Sequence, residues 1–238
     1  MNINDALLKR SSIRHFENKV IPQGTLERVL NNALKSPSGG NAQPYRIAIA
    51  SGSVKDQIKS ELSEKFTSAN EIQRLPLPQK IWQGFSKGVM PDGDFNPNVK
   101  YKGELKERKF ACGMGLYETL GVGRSDRAGR NEQMKRNFEF FDAPTVIFIF
   151  VNAQLGHYST LDAGIFMQSL MLSAVSEGLG TCPQAALAIW GSPIKRQFKV
   201  DKDYKLICGM SIGYPSEHIV NNYQPKKRDL ESLCLEKI

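Results

Sequence analysis

One stretch of this sequence constrains the fold more than any other: an apolar run followed directly by an apolar helix pattern. Residues 143–153 read APTVIFIFVNA, a continuous series of β-branched and aromatic side chains. Such a run is typical of a strand that is covered on both faces. Residues 159–180 are helical in pattern and apolar nearly all round, so this helix must be buried in a core or in a subunit interface. Ser159 or Thr160 suits its N-cap, and Gly178 suits its end.

Further helices and strands alternate along the chain. After Pro22, apolar residues recur at helical spacing from Leu26 to Leu34, which predicts a helix with one apolar stripe. The remaining predicted elements are helices over residues 4–9, 54–66, 102–120 and 131–141, and strands over residues 45–51 and 204–215. This pattern predicts an α+β fold in which the sheet lies between two layers of helices, a three-layer αβα arrangement.

The length of the chain suits one domain over residues 1–238, since 40% of its residues are hydrophobic and supply a sizeable core. Prolines and glycines are dense from Leu75 to Asn98, and helical patterns follow. We therefore expect a long excursion of helices and loops at about residues 70–142. Long loops in compact domains often act as functional lids.

The composition argues against several classes of protein. Lysine and arginine number 32 against 24 acidic residues, a net charge of +8 that suits a phosphorylated cofactor, but no long basic block favours nucleic acid. No apolar run approaches a membrane span, and the N-terminus does not resemble a signal peptide. The cysteines and histidines lack metal-ligand spacing, so we expect no metal and reduced, buried thiols in a cytoplasmic protein. Rossmann, P-loop and nucleophile-elbow motifs are also missing from the sequence.

Two stretches carry groups that suit an anionic or planar ligand. In KRSSIRHF, residues 9–16, Arg10 and Arg14 stand four apart with Ser12 between them, which favours a phosphate clamp or simply places cations at a helix end. In SPSGGNAQP, residues 36–44, hydroxyl and amide groups accompany two glycines. These groups suit a planar heterocycle, although a plain helix-to-strand turn is the simpler explanation of the stretch taken alone.

Two further segments have the same ambiguity. Residues 178–190, GLGTCPQAALAIW, predict a turn of small residues through Pro183, where backbone N–H groups could face a ring edge. The tail carries a basic cluster, Lys226 to Arg228, which is a solvated charge run unless an anion binds there.

Together and in this order, these segments resemble the FMN-dependent nitroreductase family. The pattern R-x-S-x-R-x-F at residues 10–16 resembles the family's N-terminal signature. Residues 36–45, SPSGGNAQPY, are similar to its S-P-S-x-x-N-x-Q-P-W segment, with Tyr45 in place of tryptophan. The central helix, the following turn, MSIGYP and the basic tail resemble the corresponding family segments, so the match spans nearly the whole chain. Residues 116–144 resemble a subgroup in which nitroaromatic reductases occur.

The resemblance implies a set of FMN-binding residues and no catalytic side chain. The residues implied for the phosphate, the ribityl chain or the pyrimidine edge are Arg10, Ser11, Ser12, Arg14, Lys226 and Arg228. Those implied to contact the flavin from the partner subunit are Pro37, Ser38, Gly39, Asn41 and Gln43. Pro183, Gln184 and Ala185 match the turn beside the ring, where a backbone N–H faces flavin N5. Ala185 and Ala186 replace the Glu-Gly of some members, which puts any side-chain role there in doubt.

The implied activity is NAD(P)H oxidation by a ping-pong mechanism, with a hydride passing through flavin N5 to a nitroaromatic or quinone-type acceptor and protons coming from water. The implied architecture is a nitroreductase-like αβα fold with a mixed, mostly antiparallel sheet, assembled as a homodimer with flavin sites at the interface. Two alternatives remain open: a flavoenzyme of the same fold that catalyses reductive dehalogenation or flavin destruction, and a non-enzymatic module that binds flavin or nucleic acid.

Overall fold

A computed structural model describes residues 1–96 and 99–235 of the chain. Its sheet has four strands, β1 (Tyr45–Ser51), β2 (Thr145–Asn152), β3 (Gly180–Gln184) and β4 (Tyr204–Gly213). They lie in the order β1-β2-β4-β3, and each neighbouring pair is antiparallel. In the part of the chain that is described, the one parallel pairing is an isolated bridge between Ser12 and Thr181. Strand β2 is central and buried from Thr145 to Val151, as its continuous apolar run predicts.

Eight α-helices surround this sheet in the described residues. They are α1 (Ile3–Lys9), α2 (Gln23–Ala33), α3 (Gly52–Ile72), α4 (Leu77–Ser86), α5 (Gly103–Thr119), α6 (Arg127–Lys135), α7 (His157–Ser176) and α8 (Ser192–Lys195). Within residues 1–96 and 99–235, no helix combines the length and apolar character needed to cross a membrane.

The two faces of β2 explain the three layers. Successive side chains of a strand point to opposite faces of its sheet. Phe148 packs in one core cluster with Ile58 and Leu62 of α3. Ile147 belongs to the other cluster, which includes Phe166 of α7 and residues of α2. The sheet therefore lies between two helical layers, and the predicted αβα fold is confirmed.

Helix α7 is covered by the sheet on one side only. Phe166 and Leu170 are buried, whereas Leu161 is 59% exposed and Tyr158 is 63% exposed. The helix begins at His157, two residues before the predicted cap, because Gly156 at its N-cap takes a φ of 57°. The exposed apolar side means that a single chain does not bury this helix completely.

The clearest difference from the sequence prediction lies at residues 180–184. This segment was expected to be a turn through Pro183, but it forms the edge strand β3. A proline lacks an N–H for the sheet, so it fits best at an edge, and this is where Pro183 lies. Small residues and a proline give this segment no local strand pattern. It becomes a strand only by pairing with β4, which is distant in the sequence.

In the middle segment, which contains α4, α5 and α6, helices α4 and α6 pack against α3, and the loop after α4 contacts the chain beyond β3. Trp190 donates its indole N–H to the carbonyl of Val89 at 3.0 Å. The Asp94 carboxylate contacts Lys195 Nζ at 2.7 Å and accepts from the backbone N–H of Leu206 at 2.7 Å. These contacts attach the loop to the segment that follows β3. The predicted domain of residues 1–238 and its excursion at 70–142 also include positions 97, 98 and 236–238, which lie outside the described residues.

Candidate functional site

The segment of residues 9–16 that contains Arg10 and Arg14, called here the two-arginine segment, is attached directly to strand β3. Ser12 pairs with Thr181 in the isolated parallel bridge, and the N–H of Ile13 donates to the carbonyl of Thr181 at 3.0 Å. Arg14 turns back, and its Nη1 donates to the carbonyl of Ser12 at 3.3 Å. Arg10 and Arg14 are both half-buried. The chain thus brings the predicted phosphate clamp beside the segment that contains Pro183.

Asn221 holds this segment from the other side, and the sequence analysis missed it. Its Oδ1 accepts from the backbone N–H of Arg14 at 2.8 Å and of His15 at 3.2 Å. Its Nδ2 donates to the carbonyls of His15 at 2.8 Å and Ser216 at 2.9 Å. An asparagine that contacts residues more than 200 positions away leaves no local signal in the sequence.

A stacked pair of histidines strengthens the same junction. The rings of His15 and His218 lie 4.6 Å apart and 6° from parallel. His15 Nδ1 lies 2.8 Å from Ser216 Oγ. Burial, followed by the positive charges of His218 and Arg136, lowers the pKa of His15, and the Asp142 carboxylate opposes this. The junction therefore favours a neutral His15.

A small cavity of about 220 Å³ lies beside Arg14. Its polar lining includes Gln133 and Asn137 from the middle segment, with Tyr117 and Met134 on other walls. Sequence reasoning did not single out Gln133 or Asn137, because these side chains come near Arg14 only through the folding of the middle segment.

The turn after β3 differs from the prediction in what its side chains do. Gln184 is buried, its Oε1 accepts from Ser211 Oγ at 2.5 Å, and its Nε2 donates to the carbonyl of Asn137 at 2.8 Å. The Gln184 side chain is thus used within the fold. Ala185 follows it and is exposed, and Pro183 is half-buried. A ligand in this place would meet backbone rather than the amide of Gln184.

The loop of residues 36–44 is held in one conformation by side-chain hydrogen bonds. Ser38 Oγ accepts from the backbone N–H of Gln43 at 3.0 Å, and Gln43 Nε2 donates to Asn41 Oδ1 at 3.1 Å. The N–H of Gly39 donates to the Asp162 carboxylate of α7 at 3.2 Å. Asn41 and Gln43 have φ values of 56° and 47°, a left-handed conformation that costs free energy outside glycine. Such strain is common at ligand-binding loops. Pro37 lies exposed at the start of the loop.

The loop and the two-arginine segment lie far apart in one chain. Tyr45, directly after the loop, begins β1, and Ser51 ends it. Ser51 belongs to the row of paired residues that ends at Thr181 on β3, beside Ser12. From Tyr45 to Ser51, six residues along the strand span roughly 20 Å, and the three strand spacings from Ser51 to Thr181 span roughly 14 Å. Together they give a separation of about 24 Å between Tyr45 and Thr181. One chain therefore does not bring the two halves of the predicted site together.

The basic tail packs on α5. Tyr223 donates its hydroxyl to the carbonyl of Cys112 at 2.8 Å. Arg228 forms an ion pair with Glu104, and the carbonyl of Lys226 accepts from Arg108 at 3.4 Å. The Lys226 side chain is exposed. Within the described residues, Arg228 Nε is buried and has no hydrogen-bond partner.

Two of the four cysteine thiols are buried, as the sequence predicted, and two are not. Burial raises the pKa of Cys182 to about 11 and that of Cys208 to about 12. Cys112 is half-buried and Cys234 is exposed, so the expectation that all four are buried was wrong. Over residues 1–96 and 99–235, no three His, Cys, Asp or Glu side chains are grouped so as to hold a metal ion.

Comparisons with a family model, with related sequences and with solved structures all lead to the same family. The model of the nitroreductase family matches residues 7–214. A 4-nitrobenzoate reductase of Pseudomonas putida is 29% identical over 221 residues, which are 93% of this chain and 88% of that protein. Among solved structures, the FMN and NADPH-dependent nitroreductase NfnB from sphigopyxis sp. strain HMH is 25% identical, with a TM-score of 0.87 over 100% of this chain and 99% of that one.

A second solved structure agrees with the first. The FMN-dependent nitroreductase NfnB from Mycobacterium smegmatis, in complex with NADPH, is 25% identical and has a TM-score of 0.80 over 99% of this chain and 98% of that one. The fold, the family model and the relatives therefore agree with the segments singled out in the sequence. This chain belongs to the nitroreductase family.

Proposed function

We propose that this protein is an FMN-dependent NAD(P)H oxidoreductase that reduces nitroaromatic or quinone-type acceptors. One observation carries the proposal: the Ser12–Thr181 bridge joins the two-arginine segment to the strand that ends at Gln184. The relatives named above, a 4-nitrobenzoate reductase and two NfnB enzymes, support the cofactor and the class of acceptor.

The residues at this junction fit a phosphorylated flavin. In the described part of the chain, neither Arg10 nor Arg14 forms an ion pair with a carboxylate, so both guanidinium groups are available to a phosphate. Among the described residues, Thr181 Oγ1 and Arg228 Nε are buried and have no hydrogen-bond partner. Buried polar groups are normally hydrogen-bonded, so a ligand that supplies acceptors would complete them.

The proposed FMN-binding residues follow from this fit and from the family. They are Arg10, Ser11, Ser12, Arg14, Lys226 and Arg228 for the phosphate end and the pyrimidine edge, Pro183, Gln184 and Ala185 beside the ring, and Pro37, Ser38, Gly39, Asn41 and Gln43 from a partner subunit. The Gln184 contribution is through its backbone, since its side chain is bonded to Ser211 and Asn137.

Bound FMN supplies the redox chemistry, a two-electron transfer by way of N5 from NAD(P)H to the acceptor. The chain supplies binding, orientation and charge. Arg14 holds a fixed positive charge where negative charge on the ligand needs stabilising, since its backbone is anchored by Asn221. No side chain is proposed as a proton donor, because water can reach an open site of this kind.

A homodimer completes the proposed site. In one chain Tyr45, directly after the loop of residues 36–44, lies about 24 Å from Thr181, the bridge partner of Ser12, so the two halves can serve one flavin only if a second copy contributes one of them. The exposed apolar residues of α7, including Tyr158 and Leu161, supply a surface for that contact. A two-fold dimer would contain two equivalent sites. A cytoplasmic location, a single domain over residues 1–238 and the lack of nucleic-acid and membrane partners remain predictions.

The first experiment is a visible spectrum of the purified protein before and after anaerobic NADH or NADPH, followed by an acceptor panel. Yellow protein that bleaches and is reoxidised by a nitroaromatic or a quinone is expected. Protein that binds no added FMN would refute the proposal. Flavin that neither NADH nor NADPH reduces would instead indicate a binding module, and turnover of halogenated substrates alone would favour the dehalogenase alternative.

The second experiment tests the loop. The double substitution Ser38→Ala with Asn41→Ala removes the acceptors that hold Gln43, so FMN retention should weaken while the protein stays folded. The matched control is Ser53→Ala with Asn31→Ala, two exposed residues outside the site. Equal flavin affinity in both double variants would reduce the loop to a helix-to-strand turn.

A further inference from the structure

Two cavities adjoin where the middle segment meets α3, next to the proposed flavin site, since Met134 lines both the first of them and the cavity beside Arg14. The first, called here the chamber, has a volume of about 340 Å³ and lies between α3, α4, α6 and the segment after Ala185. Among the described residues, its walls are largely apolar and include three aromatic rings, with Lys80 as the one cation in the lining. Phe66 stacks on Phe138 with ring centroids 4.9 Å apart, and Phe138 lies 5.3 Å from Trp190. Met90 adds a flexible apolar wall that adapts to the shape of a ligand.

The second cavity, called here the basic notch, also has a volume of about 340 Å³. It is lined by Arg74, Arg127 and Asn131. Asn70 and Gln73 line both cavities, so the chamber and the basic notch share a wall. None of the residues proposed to bind FMN lines either cavity.

Helical spacing explains why one end is apolar and the other basic. Along α3 and its end, Phe66, Asn70 and Arg74 recur every four residues and therefore lie on one face. Along α6, Arg127 and Met134 lie two turns apart on the face that meets α3. Both helices thus present an apolar group to the chamber and an arginine to the basic notch.

The charge of the basic notch is not neutralised by the described residues. Neither Arg74 nor Arg127 forms an ion pair or a side-chain hydrogen bond there. The acidic residues near them in sequence are engaged: Glu71 pairs with Lys87 at 3.7 Å, and Asp126 accepts from the N–H of Gly129 at 2.8 Å. The N-terminus of α6 lies at the same place and is already capped by the Asp126 carboxylate, so the attraction for an anion comes from the two guanidinium groups.

We propose that the chamber and the basic notch together form a binding site for an amphipathic aromatic anion, such as an aromatic carboxylate with a fused two-ring body. The rings occupy the chamber and the carboxylate lies between Arg74 and Arg127. The size fits, because a cavity of roughly 150 Å³ holds benzene and ligand pockets begin at about 300 Å³. Arginine pairs with a carboxylate through two parallel hydrogen bonds, which favours this head group over a neutral one.

The test compares 2-naphthoate with its neutral analogue 2-naphthol, using the purified, FMN-loaded protein and isothermal titration calorimetry at low salt. The double substitution Arg74→Gln with Arg127→Gln should weaken naphthoate binding about tenfold and leave naphthol binding unchanged. The control Lys35→Gln with Lys106→Gln removes two exposed positive charges elsewhere and should bind both ligands as the wild type does. Added salt should weaken naphthoate binding alone.

Filling the chamber provides the second arm. Ala69→Phe places a ring in the chamber and should weaken both ligands. If circular dichroism shows that this variant does not fold, Met90→Trp takes its place, since Met90 is 42% exposed. Any of three results would overturn the proposal: no naphthoate binding to the wild type, equal naphthoate loss in the arginine and lysine double variants, or no effect of the folded chamber variant. Flavin content and NAD(P)H oxidation are measured on the same samples, so this result is separate from the test of the proposed function.

Discussion

Replacing Gly115 by alanine should destabilise the protein, whereas the same replacement at Gly113 should stabilise it. Both glycines lie inside α5. A Cβ added at Gly113 meets no atom within 4 Å, but one added at Gly115 lies 2.8 Å from the ring of Tyr223 and 2.9 Å from its hydroxyl oxygen. That hydroxyl donates to the carbonyl of Cys112. The added methyl group must therefore displace the tyrosine that attaches the tail to α5.

The magnitude follows from three contributions. Alanine in place of glycine within a helix stabilises by about 1 kcal/mol, which is the expected gain for Gly113→Ala. At Gly115 the same gain is opposed by overpacking of about 1–3 kcal/mol and by the loss of a hydrogen bond of about 0.5–1.5 kcal/mol. The net loss is about 0.5–3.5 kcal/mol, and the two variants should differ by about 1.5–4.5 kcal/mol.

Thermal unfolding followed by circular dichroism measures this difference. For a chain of this size each kcal/mol shifts the midpoint by about 2–4 °C, so Gly115→Ala should unfold at least about 3 °C below Gly113→Ala. Trypsin should also cleave the tail of Gly115→Ala faster at Lys226 and Lys227. If Gly115→Ala is as stable as Gly113→Ala and its tail is equally resistant, the packing of Tyr223 against α5 is refuted.

Two further predictions concern titration and thiol reactivity. Burial, ahead of neighbouring charges, lowers the pKa of His15 in its stack with His218, so unfolding takes up a proton and stability should fall as the pH drops below about 6.5. In His15→Gln the fall of the melting temperature between about pH 7.5 and 5.5 should be smaller, while the exposed-site control His157→Gln should keep the wild-type slope; equal slopes in all three proteins would contradict this. Burial raises the pKa of Cys182 to about 11 and that of Cys208 to about 12, so in the folded protein neither should react with dithionitrobenzoate. All four thiols should react after unfolding in guanidinium, and rapid labelling of the two buried thiols in the native protein would count against their burial.

Local patterns in the sequence were sufficient to predict several helices and strands. Strand β2 and helix α7 were predicted from their apolar composition, and α2 from its stripe, because burial selects side chains at the spacing of the element itself. The motifs at residues 10–16 and 36–45, together with the central helix, the turn after it and the tail, indicated the family, which the matched family model confirms. Such patterns can be recognised in the sequence because burial or ligand binding restricts the residue types within a few neighbouring positions.

Which groups meet in the folded protein depends on long-range packing. The segment around Pro183 became a strand through its pairing with β4, and the Gln184 side chain was taken up by Ser211 and Asn137. Asn221 became the anchor of Arg14 across more than 200 residues. The separation of about 24 Å between Tyr45, at the end of the loop, and Thr181, beside Ser12, follows from the strand order β1-β2-β4-β3. Strand order and long-range pairing depend on the packing of the whole chain, and no window of neighbouring residues carries that information.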